Sequence, residues 1–348
     1  MSNQIQNLSF AIYRLPRSTD VEIIKGDIIP CDGKIAKNNF IFADFIGNRY
    51  CFKNHFKEKL SLEHFTKEYQ LEFDFELLSN YSNFASTTEN EYEKHVKIGI
   101  NAIVSKNIDK VVFSKIKVQK NHISDLKHSF LSLSEAYPET LVCMFYTPKF
   151  GFWIGASPEV LLESSKDFIR TVALAGTQQS MGKLSKDAVW SQKEIEEQAL
   201  VCRYIVNCFK KIRLREYDET GPKTIHTGKL FHLKTDYYIK KSEVNIPNLE
   251  DQLLDLLHPT SAVCGMPKID AILLIKSHEN HERKLYTGFW GPTCEEGFKF
   301  FVNIRVAQLF QSQIVFYAGA GITEDSDPHA EWAETEAKCD NLALKLMN

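Results

Sequence analysis

Glu197 is a carboxylate on a predicted helix whose neighbouring side chains are apolar. Val201, Tyr204 and Cys208 lie one or more turns further along the same side of that helix. The carboxylate therefore borders the apolar side, where a charge needs an opposite charge or a metal ion. A structural salt bridge and a metal site both meet this need, and the residues alone leave the two alternatives open.

Glu334 and Lys338 lie four positions apart, so they share one face of the last predicted helix. Such pairs are common on helix surfaces, and the spacing alone favours an exposed salt bridge. Arg305 alternates with apolar residues of a predicted strand and so projects from the opposite face of the sheet. Its guanidinium suits either a solvated face or a site where it holds a carboxylate through two parallel hydrogen bonds.

Lys110 and Glu159 carry weaker local signals. Lys110 directly precedes an apolar run, where a lysine commonly protects a strand edge. Glu159 follows a proline in a turn of small residues, which alone is typical of a surface loop.

Two other patterns do not match the motifs that they resemble. Ala318–Gly321 lacks the third glycine of a dinucleotide fingerprint, and His232 and His258 do not have the spacing of zinc ligands.

The secondary-structure elements that must position these residues are predicted to be runs of strands followed by helices. Because the pattern lacks regular βαβ alternation, it favours an α+β fold. Thr88 and Glu91 have capping-box spacing at the start of a helix, and Pro328 suits the first turn of the last helix, which begins at Ser326 or Asp327. A long helix is predicted from about residue 188 to 212. Predicted strands cover residues 109–115, 141–146, 153–156, 168–174, 298–310 and 314–317.

The composition is that of a globular protein with a sizeable core: 43% of the 348 residues are hydrophobic and 25% are charged. The net charge of -3 gives no reason to expect nucleic acid or an anionic membrane as a partner. Polar residues interrupt the N-terminus, so no signal peptide is expected. The eight cysteines form no CxxC pair, which favours reduced thiols and a cytoplasmic location.

Several stretches together, and in order, resemble the chorismate-utilising enzymes. This family includes isochorismate synthases, salicylate synthases, and the large subunits of anthranilate and aminodeoxychorismate synthases. The resemblance covers about residues 88–340, whereas the first 85 residues match only loosely. The matching stretches are DKVVFSK (109–115), FWIGASPEVLLE (152–163), TVALAGT (171–177), WSQKEIEEQALVCRYI (190–205), HLKT (232–235), HPTSAVCGMPK (258–268), YTG (286–288), FFVNIRVAQL (300–309) and YAGAGITEDSDPHAEWAETEAK (317–338).

The resemblance implies a role for each of these positions. Glu197 and Glu334 would hold a Mg²⁺ ion that binds the ring carboxylate of chorismate, in keeping with the small number of carboxylates that magnesium needs. Lys110 would activate water, and Glu159 would protonate the departing C4 hydroxyl, which requires a raised pKa. The remaining matches would contact the substrate: Arg305, Lys338, Gly319, Tyr286, His232, Thr260, Ala262, Gly176 and Thr177.

Within the family, Lys110 favours the water-using branch, because anthranilate synthases tend to have glutamine there. Ala175 argues against aminodeoxychorismate synthases, which commonly carry a nucleophilic lysine at that position. The chain departs from the common pattern at Gln198, where histidine is frequent, and at Val160, where arginine is frequent.

The expectation is one α+β domain over residues 1–348, with large antiparallel sheets flanked by helices and the site in a cleft between them. The expected reaction is the conversion of chorismate to isochorismate, for menaquinone or siderophore synthesis. A monomer without an obligatory glutaminase subunit is expected. The alternatives are a salicylate synthase, an anthranilate synthase large subunit, and a non-catalytic chorismate-binding protein.

Overall fold

The computed structural model describes residues 8–31, 33–79, 84–180, 182, 184–227 and 230–347. Seven α-helices lie within these residues: α1 (Leu62–Lys67), α2 (Glu89–Val104), α3 (Leu126–Ala136), α4 (Gln192–Lys211), α5 (Leu249–Leu257), α6 (Lys268–His278) and α7 (Pro328–Leu346). The strands are β1 (Ser9–Arg14), β2 (Asp20–Pro30), β3 (Phe40–Ala43), β4 (Arg49–Ser61), β5 (Lys110–Lys120), β6 (Leu141–Thr147), β7 (Gly151–Ser157), β8 (Val160–Ser164), β9 (Phe168–Gln179), β10 (Asp218–Thr227), β11 (Leu230–Lys240), β12 (Gly265–Met266), β13 (Phe289–Pro292), β14 (Phe298–Val302), β15 (Val306–Leu309) and β16 (Gln313–Ile322).

The strands form one large antiparallel sheet flanked by helices, which confirms the expected α+β fold. Their order is β10-β11-β9-β8-β14-β13-β3-β4-β2-β1-β6-β7-β15-β16-β5-β12. Helix α7 packs on β16 and on α2 and α3, and α4 packs on β9 and α5. The two helices that carry Glu197 and Glu334 are therefore held against different parts of the sheet.

The N-terminal strands are part of the main core. Phe10 and Ile12 of β1 belong to the same buried cluster as Leu342 and Leu346 of α7. Strand β1 also pairs with β6, so the start of the described chain lies inside the sheet. Residues up to 85, which match the family motifs only loosely, thus contribute to the core that supports the rest of the molecule.

Five of the seven helices in the described residues begin after a side chain that accepts a hydrogen bond from a free N–H group of the first turn. Thr88 and Glu91 form the predicted capping box of α2, and Asp327 caps α7 with Pro328 in its first turn. The predicted start of the long helix near residue 188 is wrong. Helix α4 begins at Gln192, because Ser191 caps it and exchanges hydrogen bonds with Glu194 in a second capping box.

The single strand predicted over residues 298–310 is also wrong. Strand β14 ends at Val302 and pairs with β8, whereas β15 begins at Val306 and pairs with β7 and β16. Between them Arg305 has φ 55°, a left-handed conformation that interrupts a strand. Arg305 therefore lies in a connection between two strands and does not alternate with apolar neighbours on a sheet face.

The cysteines agree with the interpretation as thiols, since all eight are free in the structure. Within the part of the chain that the structure describes, none of the helices is long and apolar enough to cross a membrane.

Candidate active site

A cleft between the sheet and helices α4 and α7 collects most of the residues that the sequence singles out. Its walls come from strands β5, β9, β11 and β16 and from four connections, which precede β8, β12, β13 and β15. Among the predicted site residues, those that line the cleft are Glu159, Gly176, Glu197, His232, Ala262, Tyr286, Arg305, Gly319, Glu334 and Lys338.

Lys110, the first residue of β5, lies behind the cleft wall at Gly321. The strand lies between β16 and β12, and the lysine is fully buried, so the interpretation as an exposed strand-edge lysine is wrong. Its Nζ donates a hydrogen bond of 2.9 Å to Oε1 of Glu197 on α4. Burial raises the pKa of the Glu197 carboxyl, but the charges of Lys110, Lys338 and Lys193 outweigh it and hold that pKa below its usual value. Glu197 is therefore a carboxylate at neutral pH.

Gly321 of β16 lies directly against this ion pair. A Cβ atom at Gly321 would lie 2.5 Å from Oε1 of Glu197 and 3.2 Å from Nζ of Lys110. A side chain at this position would therefore displace the Glu197 carboxylate from where it meets Lys110. The groups that approach β16 closely at this glycine are thus the Glu197 carboxylate and the Lys110 side chain.

Glu159 lies in the turn between β7 and β8 and is only 4% exposed, so the interpretation as a surface acid is wrong. Its backbone oxygen accepts a hydrogen bond of 2.9 Å from the N–H of Val302, which fixes the turn against β14. Burial raises the pKa of Glu159 to about 8, although the charge of Lys110 lowers it. Glu159 therefore holds a proton at neutral pH, as a general acid must.

Arg305 and His232 meet on one side of the cleft. Nδ1 of His232 lies 3.2 Å from the carbonyl oxygen of Gly176, and its Nε2 lies 3.3 Å from a terminal nitrogen of Arg305. Burial and the nearby Arg305 charge lower the pKa of His232 to about 3. The imidazole is therefore neutral, with its proton on Nδ1 and Nε2 accepting from Arg305, whose pKa burial also lowers.

Glu334 and Lys338 do form the predicted ion pair, with 2.7 Å between Oε1 and Nζ. Both side chains line the cleft, so the pair is part of the site as well as of the helix surface. The ammonium of Lys338 also donates a hydrogen bond of 2.8 Å to the carbonyl oxygen of Gly319. This bond ties α7 to β16 and holds a positive charge over the cleft.

The donor set at the cleft fits Mg²⁺. Glu197 and Glu334 line the same cleft from different helices. Burial lowers the pKa of Lys193, but the charges of Glu331, Glu334 and Glu197 outweigh burial and raise that pKa above its usual value. The carboxylates of Glu197 and Glu334 therefore both act on the ammonium of Lys193. Their side chains keep 20% and 36% of their exposure, which leaves water access. Two carboxylates and several waters are the donors that magnesium commonly uses.

Two predicted contacts are not among the cleft residues. Thr260 is buried, and its carbonyl oxygen accepts hydrogen bonds from Val263 and Cys264, which organises the turn next to the cleft. The side chain of Thr177 lies outside the described part of the structure. Sequence reasoning missed Tyr317, which lines the cleft and stacks on Tyr286 with 5.3 Å between ring centroids.

The cleft thus combines one arginine and one lysine with two carboxylates and one protonated acid, and Lys110 lies behind its wall. This arrangement defines a site for a small anionic molecule. Comparison of the whole chain with protein-family models identifies its family. The family model described as chorismate binding enzyme matches residues 43–347, and the chain belongs to this family.

Similar proteins include isochorismate synthases and an anthranilate synthase component. Isochorismate synthase EntC of Escherichia coli is 32% identical over 199 residues, which is 55% of this chain and 50% of EntC. The match therefore spans about half the length of that relative. Anthranilate synthase component 1 of Saccharolobus solfataricus is 28% identical over 280 residues, 75% of this chain and 63% of that protein. The solved structure of MenF, the menaquinone-specific isochorismate synthase of Escherichia coli, has a TM-score of 0.79 at 18% identity and covers 99% of this chain and 90% of MenF.

Proposed function

We propose that this protein is a Mg²⁺-dependent isochorismate synthase, which converts chorismate to isochorismate. One observation carries the proposal: a buried lysine and a buried, protonated glutamic acid converge on an anion-binding cleft from separate segments of the fold. Lys110 lies behind Gly321 in the cleft wall, and Glu159 lines the cleft. The charge of Lys110 also lowers the pKa of the Glu159 carboxyl, which supports a shared role for the two groups.

In the proposed reaction the Lys110 ammonium first releases its proton to solvent, and the resulting neutral amine then takes a proton from a water molecule. The water oxygen bonds to C2 of the ring, the ring double bonds shift, and the bond between C4 and its hydroxyl breaks. Glu159 gives its proton to that hydroxyl, which leaves as water. One proton is taken and one is given, so substrate and product are isomers. The raised pKa of Glu159 supplies the acid that this step needs at neutral pH.

The charged residues around this pair would bind and orient the substrate. Glu197 and Glu334 would hold Mg²⁺, which when bound neutralises and orients a carboxylate of chorismate. The cationic groups of Arg305 and Lys338 both line the cleft, and they would hold the substrate carboxylates. Neutral His232 would keep the Arg305 guanidinium in place by accepting its hydrogen bond.

The nucleophile decides between the related activities. A lysine at position 110 supports water, and an enzyme that uses water has no need of a glutaminase subunit to deliver ammonia. A cytoplasmic, monomeric enzyme that supplies menaquinone or siderophore synthesis is part of the same proposal. A salicylate synthase would use the same lysine and would then eliminate pyruvate from isochorismate.

The test is incubation of the purified protein with chorismate and Mg²⁺, with and without ammonium, followed by chromatography of the products. Isochorismate as the main product in both mixtures is expected. Salicylate with pyruvate would establish the salicylate synthase alternative, and anthranilate in ammonium would establish the ammonia-using branch. Binding of chorismate without any product would leave a non-catalytic binding protein. Each of these three results would overturn the proposal.

A further inference from the structure

A buried guanidinium lies directly behind the cleft wall. Arg283 is 4% exposed and pairs with Glu279, the residue at the C-terminal end of α6. Nε of Arg283 lies 2.9 Å from Oε2 of Glu279, and a terminal nitrogen lies 2.5 Å from Oε1. Burial raises the pKa of Glu279, but the Arg283 charge and the hydrogen bonds from Arg283 outweigh it and hold the pKa below its usual range. The pair is therefore ionised and joined by two parallel hydrogen bonds.

The remaining N–H groups of Arg283 bind main-chain oxygens from two different walls of the cleft. One terminal nitrogen donates to the carbonyl oxygen of Val112 on β5 at 2.6 Å. The other donates to the carbonyl oxygen of Val263, in the turn before β12, at 2.8 Å. Val112 and Val263 both line the cleft, whereas Arg283 is not among the described residues that line it. The guanidinium thus holds the two walls together from behind.

The same pair reaches the walls at two further points. Oε1 of Glu279 accepts a hydrogen bond of 2.6 Å from the N–H of Ser114, two residues beyond Val112 on β5. The carbonyl oxygen of Arg283 accepts a hydrogen bond of 2.8 Å from the N–H of Tyr286, whose side chain lines the cleft. Strand β5 and the turn with Val263 therefore both converge on the ion pair, and the turn with Tyr286 is bound to the backbone of Arg283.

We propose that Arg283, held by Glu279, is a positioning residue for the reaction: it fixes the strand that carries Lys110 relative to the substrate-contacting turns at Ala262–Val263 and Tyr286. The inference deepens the proposed function and rests on it. Lys110 lies two residues before Val112 on β5, so a shift of Val112 away from Val263 moves the proposed base relative to the bound ring. A displacement of about 1 Å is enough to cost a hundredfold in rate.

Only an arginine has the geometry for this task. Its planar fork offers five N–H donors, so it binds one carboxylate side by side and still reaches two carbonyl oxygens. A lysine keeps the charge but gathers its donors on a single nitrogen atom at the end of a flexible chain. Arg283→Lys therefore keeps the ion pair with Glu279 while releasing at least one of the two walls.

Arg14 provides a matched control elsewhere in the fold. It is 3% exposed and donates hydrogen bonds to the carbonyl oxygens of Leu15, Tyr137 and Pro138, at 3.1, 2.8 and 3.1 Å. None of these acceptors lines the cleft. Arg14→Lys makes the same chemical change in an equally buried arginine, so it measures the general effect of such a replacement on folding.

The experiment compares Arg283→Lys, Arg14→Lys and the wild type, all well below their melting temperatures, in steady-state kinetics and in amide hydrogen exchange. For Arg283→Lys we expect kcat/KM to fall at least about tenfold, with faster exchange in residues 110–114 and 262–266. For Arg14→Lys we expect kcat/KM within about twofold of the wild type and unchanged exchange in those segments, because its contacts are remote from the cleft.

Equal kinetics for the two variants would overturn the proposal, as would unchanged exchange at residues 110–114 in Arg283→Lys. Should Arg283→Lys fail to fold, Glu279→Gln is measured in the same way, because it weakens the partner that orients the guanidinium; normal turnover and exchange in Glu279→Gln would overturn the proposal equally. A wild type that makes no isochorismate is a failure of the proposed function instead, and the exchange comparison still decides whether Arg283 holds the walls.

Discussion

The ammonium of Lys110 and the carboxylate of Glu197 form a 2.9 Å ion pair between β5 and α4. The proposed base and a proposed magnesium ligand are thus direct partners. Because the Lys110 side chain is fully buried and that of Glu197 is 20% exposed, neither charge has enough water around it to stand alone. Each of these residues therefore contributes to folding as well as to the proposed chemistry.

Glu197→Ala is expected to destabilise the protein far more than Glu334→Ala. The first change leaves the Lys110 charge buried without its partner, which typically costs about 3–5 kcal/mol. The second breaks an exposed pair on one helix, which is worth about 1 kcal/mol or less. Urea unfolding of the two variants, without Mg²⁺, measures the difference. Equal losses would show that Lys110 finds another partner.

Magnesium dependence is consequently better tested at Glu334 than at Glu197. Thorough chelation is expected to abolish turnover by the wild type, and added Mg²⁺ should restore it. Glu334→Gln should remain folded and require a higher Mg²⁺ concentration, because an amide oxygen is a weaker ligand than a carboxylate. Turnover against Mg²⁺ concentration for both proteins is the measurement. Activity that survives chelation would refute the metal assignment.

Lys110→Gln is expected to lower isochorismate formation by roughly a hundred- to ten-thousand-fold, the usual contribution of a positioned base. Lys115→Gln on the same strand is the matched control, since Lys115 is also buried but pairs with Glu336 of α7, and neither residue lines the cleft. The control should lose stability and keep its turnover when folded. Similar rates for the two variants, both folded, would remove Lys110 from the mechanism.

Local signals in the sequence predicted the parts of the fold that short-range chemistry controls. The caps at Thr88 and Asp327 are examples, because the bonds involved span only three residues. The break at Arg305 was not predicted, since neighbouring β14 and β15 bind different partner strands and the pattern of apolar residues continues across the gap.

In the candidate site, too, contacts between residues far apart in the sequence were not predicted. Family motifs brought forward Glu197 and Glu334, but no spacing in the sequence indicates that Lys110 and Glu197, 87 residues apart, touch each other. For Glu279 and Arg283 the spacing does indicate a contact, but it does not indicate that the contact is buried. Their spacing of four residues resembles an ordinary exposed pair, and only the fold reveals that both side chains are 2% exposed.

Glu159→Gln is expected to reduce turnover by roughly a hundred- to ten-thousand-fold and to change chorismate binding little, because a general acid acts mainly in the transition state. In the wild type the pKa of Glu159 is about 8, so turnover should decline as the pH rises through that value and the proton is lost. Steady-state kinetics over a range of pH and calorimetric binding provide the measurements. A variant with near-normal turnover would exclude Glu159 as the acid.

The buried acid also leads to a prediction that is independent of activity. Burial raises the pKa of Glu159 from 4.5, its ordinary value, to about 8 in the folded protein. Between these values the Glu159 carboxyl binds more protons in the folded state than in the unfolded state, so its contribution to the free energy of unfolding falls as the pH rises. The contribution is constant below pH 4.5, where both states are protonated, and it is lost progressively up to about pH 8.

Glu159→Gln removes this titration, because glutamine stays neutral throughout. The variant should therefore gain stability relative to the wild type as the pH increases, by up to roughly 1.4 kcal/mol per pH unit within that window. Urea unfolding of both proteins at several pH values, from about pH 5 to about pH 8, measures the difference in the free energy of unfolding. Parallel stability curves for the two proteins would mean that the Glu159 carboxyl is solvated in the folded protein. That result would refute the assignment of Glu159 as a protonated acid.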